Sequence, residues 1–351
     1  LWDRVYITSL FTYTWSETIK AINFYKDAVG GSRRKLYVGG VMASLMAQDV
    51  FEETGVQPVK GVLTSPQQID LSEKVNIDRL PPDYSLLNPY LYAINETYYG
   101  YTTRGCTNAC PWCGVPTIEP DFEPYIDIKP AINYLRKVYG DKPILKLMDN
   151  NVLASPQLPR IVEDLVELGY GRETYTETES PRKRVVDFNQ GLDASLLTEE
   201  TMEHLSRLHI APMRVAFDRL EEKADYVRAL QLARTYGVRE FSNYMLFNWQ
   251  DTPRDLYERL KVNIKLNEEW REKEGDEFTG GIYSYPMRFA PINDPDGDGL
   301  NRQRDRPCPP PNRDEDFLRN PVWNRRFIRN IGVMKGVANG AISTTPSLAW
   351  R

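Results

Sequence analysis

Three of the chain's four cysteines, Cys106, Cys110 and Cys113, fall within eight residues, in the run YTTRGCTNACPWCG at 101–114. Thiolates this close are soft ligands suited to an iron–sulfur cluster or to zinc. A [4Fe–4S] cube has four irons, so three protein thiolates leave one iron open. An open position is what a catalytic metal needs and a structural one avoids. The competing reading is a four-cysteine zinc or iron site completed by Cys308. Structural zinc sites pair their cysteines as two C-x2-C knuckles, whereas Cys308 stands alone in the proline-rich run RPCPPP at 306–311. His204 and His209 are the only histidines, so imidazole has little part in any metal chemistry here.

The elements that must position these residues alternate as strands and helices. Strand-forming runs at 4–10, 35–40 and 60–64 are separated by helical stretches at 16–31 and 43–53, with Ser16 as N-cap of the first and Gly55 ending the second. This is a Rossmann-like layer without its first strand. The chain opens on Leu1 rather than Met and runs straight into a strand, which reads as a missing N-terminus. Prolines at 81, 82 and 89 mark a domain boundary. Beyond it, strands are expected at 96–102, 143–148, 184–188, 213–217, 240–247 and 281–289. Helices lie between them, among them 158–168, 199–208, 222–236 and 253–269. Thr252, Pro253 and Asp255 form a helix-start signal, and Gly237 a stop. Six β/α units make most of a barrel, with chemistry expected where strands pass into βα loops. The expected domains are 1–85, 86–291 and a C-terminal extension, 292–351.

The spacing Cys-x3-Cys-x2-Cys, with Trp112 just before the last cysteine and the loop following the first of six β/α units, resembles the signature of the radical S-adenosylmethionine (SAM) superfamily. The resemblance covers about residues 96–291 and implies a partial (β/α)6 TIM-like barrel. It also implies a [4Fe–4S] cluster on Cys106, Cys110 and Cys113 whose open iron chelates the amino and carboxylate groups of SAM. Reductive cleavage would then give a 5′-deoxyadenosyl radical that abstracts hydrogen from substrate. Such enzymes imply an electron donor such as flavodoxin or ferredoxin.

Other residues carry over by position. Family members hold the SAM amino group with a polar segment after the second strand, often Gly-Gly-Glu; here Asp149, Asn150 and Asn151 stand there, matching in place but not in type. Asp149 accepting from an ammonium is sound chemistry; capping the next helix is the alternative. After the third strand, Asn189 and Gln190, in the run from Asp187 to Asp193, could hold the SAM carboxylate or ribose, or simply form a turn. Trp112 is expected over the cluster or against adenine. Arg214, Asp218, Asn248 and Asp251 follow at the fourth and fifth strands, as ligand contacts or ion pairs, with Arg214 and Asp218 sharing a strand face. Arg104 either raises the cluster potential or anchors its loop. The first layer, with Gly39 and Gly40 ending its second strand, resembles the cobalamin-binding-like domain of some radical SAM proteins, its glycines allowing close approach of a ligand. Cobalamin is thus a further candidate cofactor, and cobalamin-dependent methyl transfer an alternative activity. Residues 294–305 approach a calcium-loop spacing without its final Glu and read better as an acidic turn.

Composition bounds the rest. With 44 basic and 49 acidic residues the net charge is −5, against a general nucleic-acid binder. The longest apolar run, 38–47, is interrupted by Gly39 and Gly40, so no membrane span is expected. Clustered rather than dispersed cysteines fit the reducing cytoplasm better than a disulfide framework. The non-enzyme alternative is a zinc-stabilised binding module. The substrate is not named by the sequence.

Overall fold

The computed structural model describes residues 2–30, 35–289, 323 and 325–340. It is a mixed α/β protein whose sheets are all parallel. Contacts group it into two units, Leu1–Asp83 with Arg104–Glu123, and Tyr84–Thr103 with Pro124–Arg351.

In the first unit, β1 (Val5–Ser9) and β2 (Leu36–Gly40) pair in parallel, joined through α1 (Trp15–Ala28). Two short helices follow, α2 (Val41–Leu45) and α3 (Ala47–Thr54). Ile22, Val38, Met42 and Val50 are fully buried in its core, each worth about 1.5–3 kcal/mol relative to exposure. Gly55 ends α3 in the left-handed region, φ 68°, as expected of a helix stop. Two expectations fail. Helix α1 begins at Trp15, after Thr14, so Ser16 lies inside its first turn and is not the cap. Residues 60–64 form no strand: Val59 donates one bond to the Val38 carbonyl, 2.8 Å, and then Gly61 turns its amide to Ser44 Oγ, 3.0 Å. With the amide taken by a side chain, the ladder cannot continue. The same unit holds α4 (Val115–Ile118) in the cysteine loop.

Among the described residues the second unit carries six strands: β3 (Thr97–Gly100), β4 (Ile144–Leu147), β5 (Val185–Phe188), β6 (Met213–Arg214), β7 (Glu240–Phe247) and β8 (Gly281–Arg288). They pair in sequence order as β3-β4-β5 and β6-β7-β8, and parallel bridges Val186 to Ile210 and Leu192 to Val215 link the two halves. No pairing joins β8 to β3 among the described residues, so the sheet is not a closed barrel. Between strands run α5 (Lys129–Tyr139), α6 (Leu158–Leu165), α7 (Glu199–Leu205), α8 (Lys223–Thr235) and α9 (Pro253–Glu274), with α10 (Arg325–Ala338) after β8.

One face of these strands is apolar, from Tyr98 through Leu145, Val186 and Met213 to Phe241, and packs on Ile132, Leu135, Ile161, Leu165 and Leu260 of the helices. A polar chain is buried there: Asn243 donates to the Tyr226 hydroxyl, 3.1 Å, Tyr226 to Asn263 Oδ1, 2.9 Å, and Asn263 to Ser284 Oγ, 2.8 Å, while Asn243 Oδ1 is left without a donor. The expected start of α9 is present as a reciprocal cap between Thr252 and Asp255. Helix α6 stops three residues early and runs on as a wide turn, 166–170, with Gly169 at φ 85°. The strand expected over 213–217 shortens to Met213–Arg214. No helix among the described residues is long and apolar enough to cross a membrane.

Candidate functional site

The cysteine loop is built on a closed base. Arg104 and Glu123 exchange both backbone bonds, 3.1 and 2.9 Å, so the residues between them form one excursion. The Arg104 guanidinium grips Asp78 through Nε, 3.1 Å, and Nη2, and donates to Glu119 through Nη1, 3.0 Å. Glu119 also accepts the Gly105 amide, 2.7 Å. Arg79 bridges Asp78 at 2.6 Å and Glu123 at 2.5 Å. Gly105 sits at φ 72° against the Asp121 carbonyl, where any side chain would clash. Arg104 is therefore charge-compensated by two carboxylates, which is the anchoring role and leaves little net charge to act on a cluster.

Within the loop the Cys113 amide donates to the Cys110 carbonyl, 3.0 Å. Backbone amides also reach sulfur: Asn108 N–H to Cys106 Sγ, 3.3 Å, and Val115 N–H to Cys113 Sγ, 3.4 Å. Such bonds stabilise the thiolate and are among the levers that set cluster potential. Cys106 and Cys110 are partly buried and Cys113 is exposed; none is in a disulfide. Among the described residues no three Cys, His, Asp or Glu side chains converge as ligands of one metal ion. Three soft thiolates carried in one short loop are a donor set that suits an iron–sulfur cluster. Trp112 is partly buried in the same loop. Cys308 and the acidic turn at 294–305 lie outside the described residues.

In the other unit, the end of β4 is organised by Asp149. Its Oδ1 accepts from the Thr102 amide, 2.8 Å, from both threonine hydroxyls, 2.8 Å each, and from the Thr103 amide. Asp149 thus caps no helix; it fastens the two residues that precede Arg104 in sequence. Its other oxygen, Oδ2, and Asn151 Oδ1 nearby in sequence are buried without a hydrogen-bond donor. Burial pushes the Asp149 carboxyl up against the pull of those four bonds. Asn150 is partly buried. Asn189 offers its carbonyl to the Tyr244 hydroxyl, 3.2 Å, while Gln190 is exposed.

Arg214 forms an ion pair on the sheet. Nε and Nη2 donate to the two Asp187 oxygens, 2.8 and 3.1 Å, and Nη1 to Ser242 Oγ, 3.2 Å. Lys146 Nζ stands 3.5 Å from the same carboxylate. Asp218 accepts the Leu246 amide, 2.8 Å. Asp251 pairs with the fully buried Arg259, 2.9 Å, which also donates to the Phe217 and Asp218 carbonyls, 3.0 and 2.8 Å. Asn248 donates to the Phe289 carbonyl, 3.1 Å. Asp218, Asp251 and Asn248 thus tie strand ends together. Asp78, Glu119, Thr102 and Lys146 were not signalled by sequence, because each meets its partner only across the fold.

Gly40 also has a local explanation: at φ 95° it lies against the Ser9 backbone, its neighbour in the β1–β2 pairing, where a side chain would clash.

No protein-family model matches the chain, and no curated protein matches it. Among solved structures, the crystal structure of HydG, a maturase of the [FeFe]-hydrogenase, aligns at a TM-score of 0.40 and 12% identity. The alignment covers 80% of this chain and 60% of that one, so the chain spans less than two thirds of that protein's length. Similarity at this level establishes neither family nor activity.

Proposed function

We propose that this chain is a radical SAM enzyme that uses the partial (β/α)6 architecture suggested by its six sequential parallel strands. The observation that carries the reading is the Cys106, Cys110, Cys113 loop itself, pinned at its base by Arg104 on Asp78 and Glu119, with amides on two of its sulfurs. A [4Fe–4S] cluster held by these thiolates would supply the electron that cleaves bound SAM to a 5′-deoxyadenosyl radical, with a flavodoxin or ferredoxin as donor.

The chain's own residues do the rest. Asp78 and Glu119 hold the loop base through the Arg104 guanidinium and the Gly105 amide. Asp149 has one buried acceptor oxygen left over, and an ammonium such as the SAM amino group is the donor chemistry that would satisfy it. Asn150, Asn189 and Gln190 lie at strand ends where the resemblance puts the remaining polar contacts to SAM, and Trp112 is assigned to packing on cluster or adenine. Cobalamin is not part of the proposal, since Gly40, one of the glycines that suggested it, is accounted for by the Ser9 backbone of β1.

Anaerobic loading with iron and sulfide, then dithionite and SAM, should yield 5′-deoxyadenosine with wild type and none with Cys110→Ala. A chain that takes up zinc and refuses iron would overturn the reading in favour of a binding module.

A further inference from the structure

The register of the second unit sets polar side chains in a row across its strands. Tyr99 pairs with Lys146, Lys146 with Asp187, Arg214 with Ser242, and Ser242 with Tyr283; the Arg214–Asp187 ion pair closes the gap between the two halves. Each strand thus places one residue at a common level, and strand alternation puts the row on the face opposite Tyr98, Leu145, Val186, Met213 and Phe241. Parallel sheets are ordinarily buried on both faces and apolar throughout. A polar row on one face departs from that rule and marks a surface that meets something polar.

Its chemistry is lopsided. Two cations, Lys146 and Arg214, share one carboxylate, Asp187, whose two oxygens are already held by the Nε–Nη2 edge of Arg214. Lys146 has only a 3.5 Å approach to it, with 28% of its side chain exposed. A guanidinium has five N–H donors, and three of those of Arg214 are accounted for by Asp187 and Ser242. At the β8 end of the row, Tyr283 and, two residues on, Tyr285 are 43% and 37% exposed, and Lys335 of α10 lies over both rings, 5.6 and 4.7 Å from their centroids.

We infer that this face binds an organic anion, its carboxylate or phosphate on Lys146 and Arg214 and its body against Tyr283 and Tyr285. As a binding site it stands on register and charge; as the substrate site of the enzyme it rests on the function proposed above.

The test is fluorine NMR line broadening of 4-fluorobenzoate and 4-fluorophenyl phosphate, with neutral 4-fluorobenzamide as control, on the chain before and after iron–sulfide loading. At least one anion should broaden and the amide should not. Lys146→Met should weaken the anion about tenfold, the loss of one charge-assisted hydrogen bond. Lys146→Arg should retain it, and Lys60→Met, an exposed lysine of the other unit, should have no effect. Equal broadening by the amide, indifference to Lys146→Met, no binding by either anion, or competitive displacement of the probe by SAM would each overturn the inference. Binding that depends on Lys146 in a chain that forms no 5′-deoxyadenosine would leave the site standing and sink the radical reading instead.

Discussion

Arg104 donates from the Nε–Nη2 edge of its guanidinium to both carboxylate oxygens of Asp78, a residue 26 positions earlier in the chain. Both side chains are largely buried, 14% and 8% exposed. The bidentate pair fixes the chain two residues before the first cysteine.

Removing Asp78 leaves that guanidinium half-satisfied. Asp78→Ala should cost about 2 kcal/mol, the usual penalty for a stranded buried partner. It should lower iron retention after loading while far-ultraviolet circular dichroism stays unchanged. Full iron retention would show that the clamp does not position the loop.

Asp149 makes a pH prediction. Its carboxyl is raised by burial in the folded protein, so below the unfolded value it is neutral in both states and costs nothing. As pH rises above the unfolded value the unfolded state ionises first, so the native state loses relative stability until the folded value is passed. The melting temperature of wild type relative to Asp149→Asn should therefore fall as pH is raised from about 4 to 8, starting near the ordinary Asp value. A gap independent of pH would mean that Asp149 ionises freely.

Arg259 is wholly buried between the Phe217 and Asp218 carbonyls and Asp251. Arg259→Met removes the cation that faces Asp251 and the donor to both carbonyls, and should destabilise by about 3–5 kcal/mol. Chemical denaturation would read this directly; a loss below about 1 kcal/mol, the scale of an ordinary exposed pair, would contradict the ion pair.

Cys308 separates the two metal readings. Cys308→Ala should leave iron and sulfide content unchanged. Loss of metal in that variant would favour a four-cysteine site.

What was legible in the sequence was mostly local. The start of α9 could be read because Thr252, Pro253 and Asp255 carry the signal within four residues, and β7 because eight residues of strand-forming pattern coincide with Glu240–Phe247. The three cysteines were legible for the same reason. Nonlocal partners were not. Thr102 and Asp149 are 47 residues apart, and the row from Lys146 to Arg214 exists only once register is set. The failed strand at 60–64 shows the converse: its residue types suit a strand, but Ser44 competes for the Gly61 amide.

The central claim is an iron–sulfur cluster with one iron open to SAM. The most direct measurement is the electron paramagnetic resonance spectrum of the iron-loaded, dithionite-reduced chain with and without SAM. A cluster signal that shifts when SAM is added is the predicted result. A signal indifferent to SAM, or none from a chain that holds zinc, would contradict it.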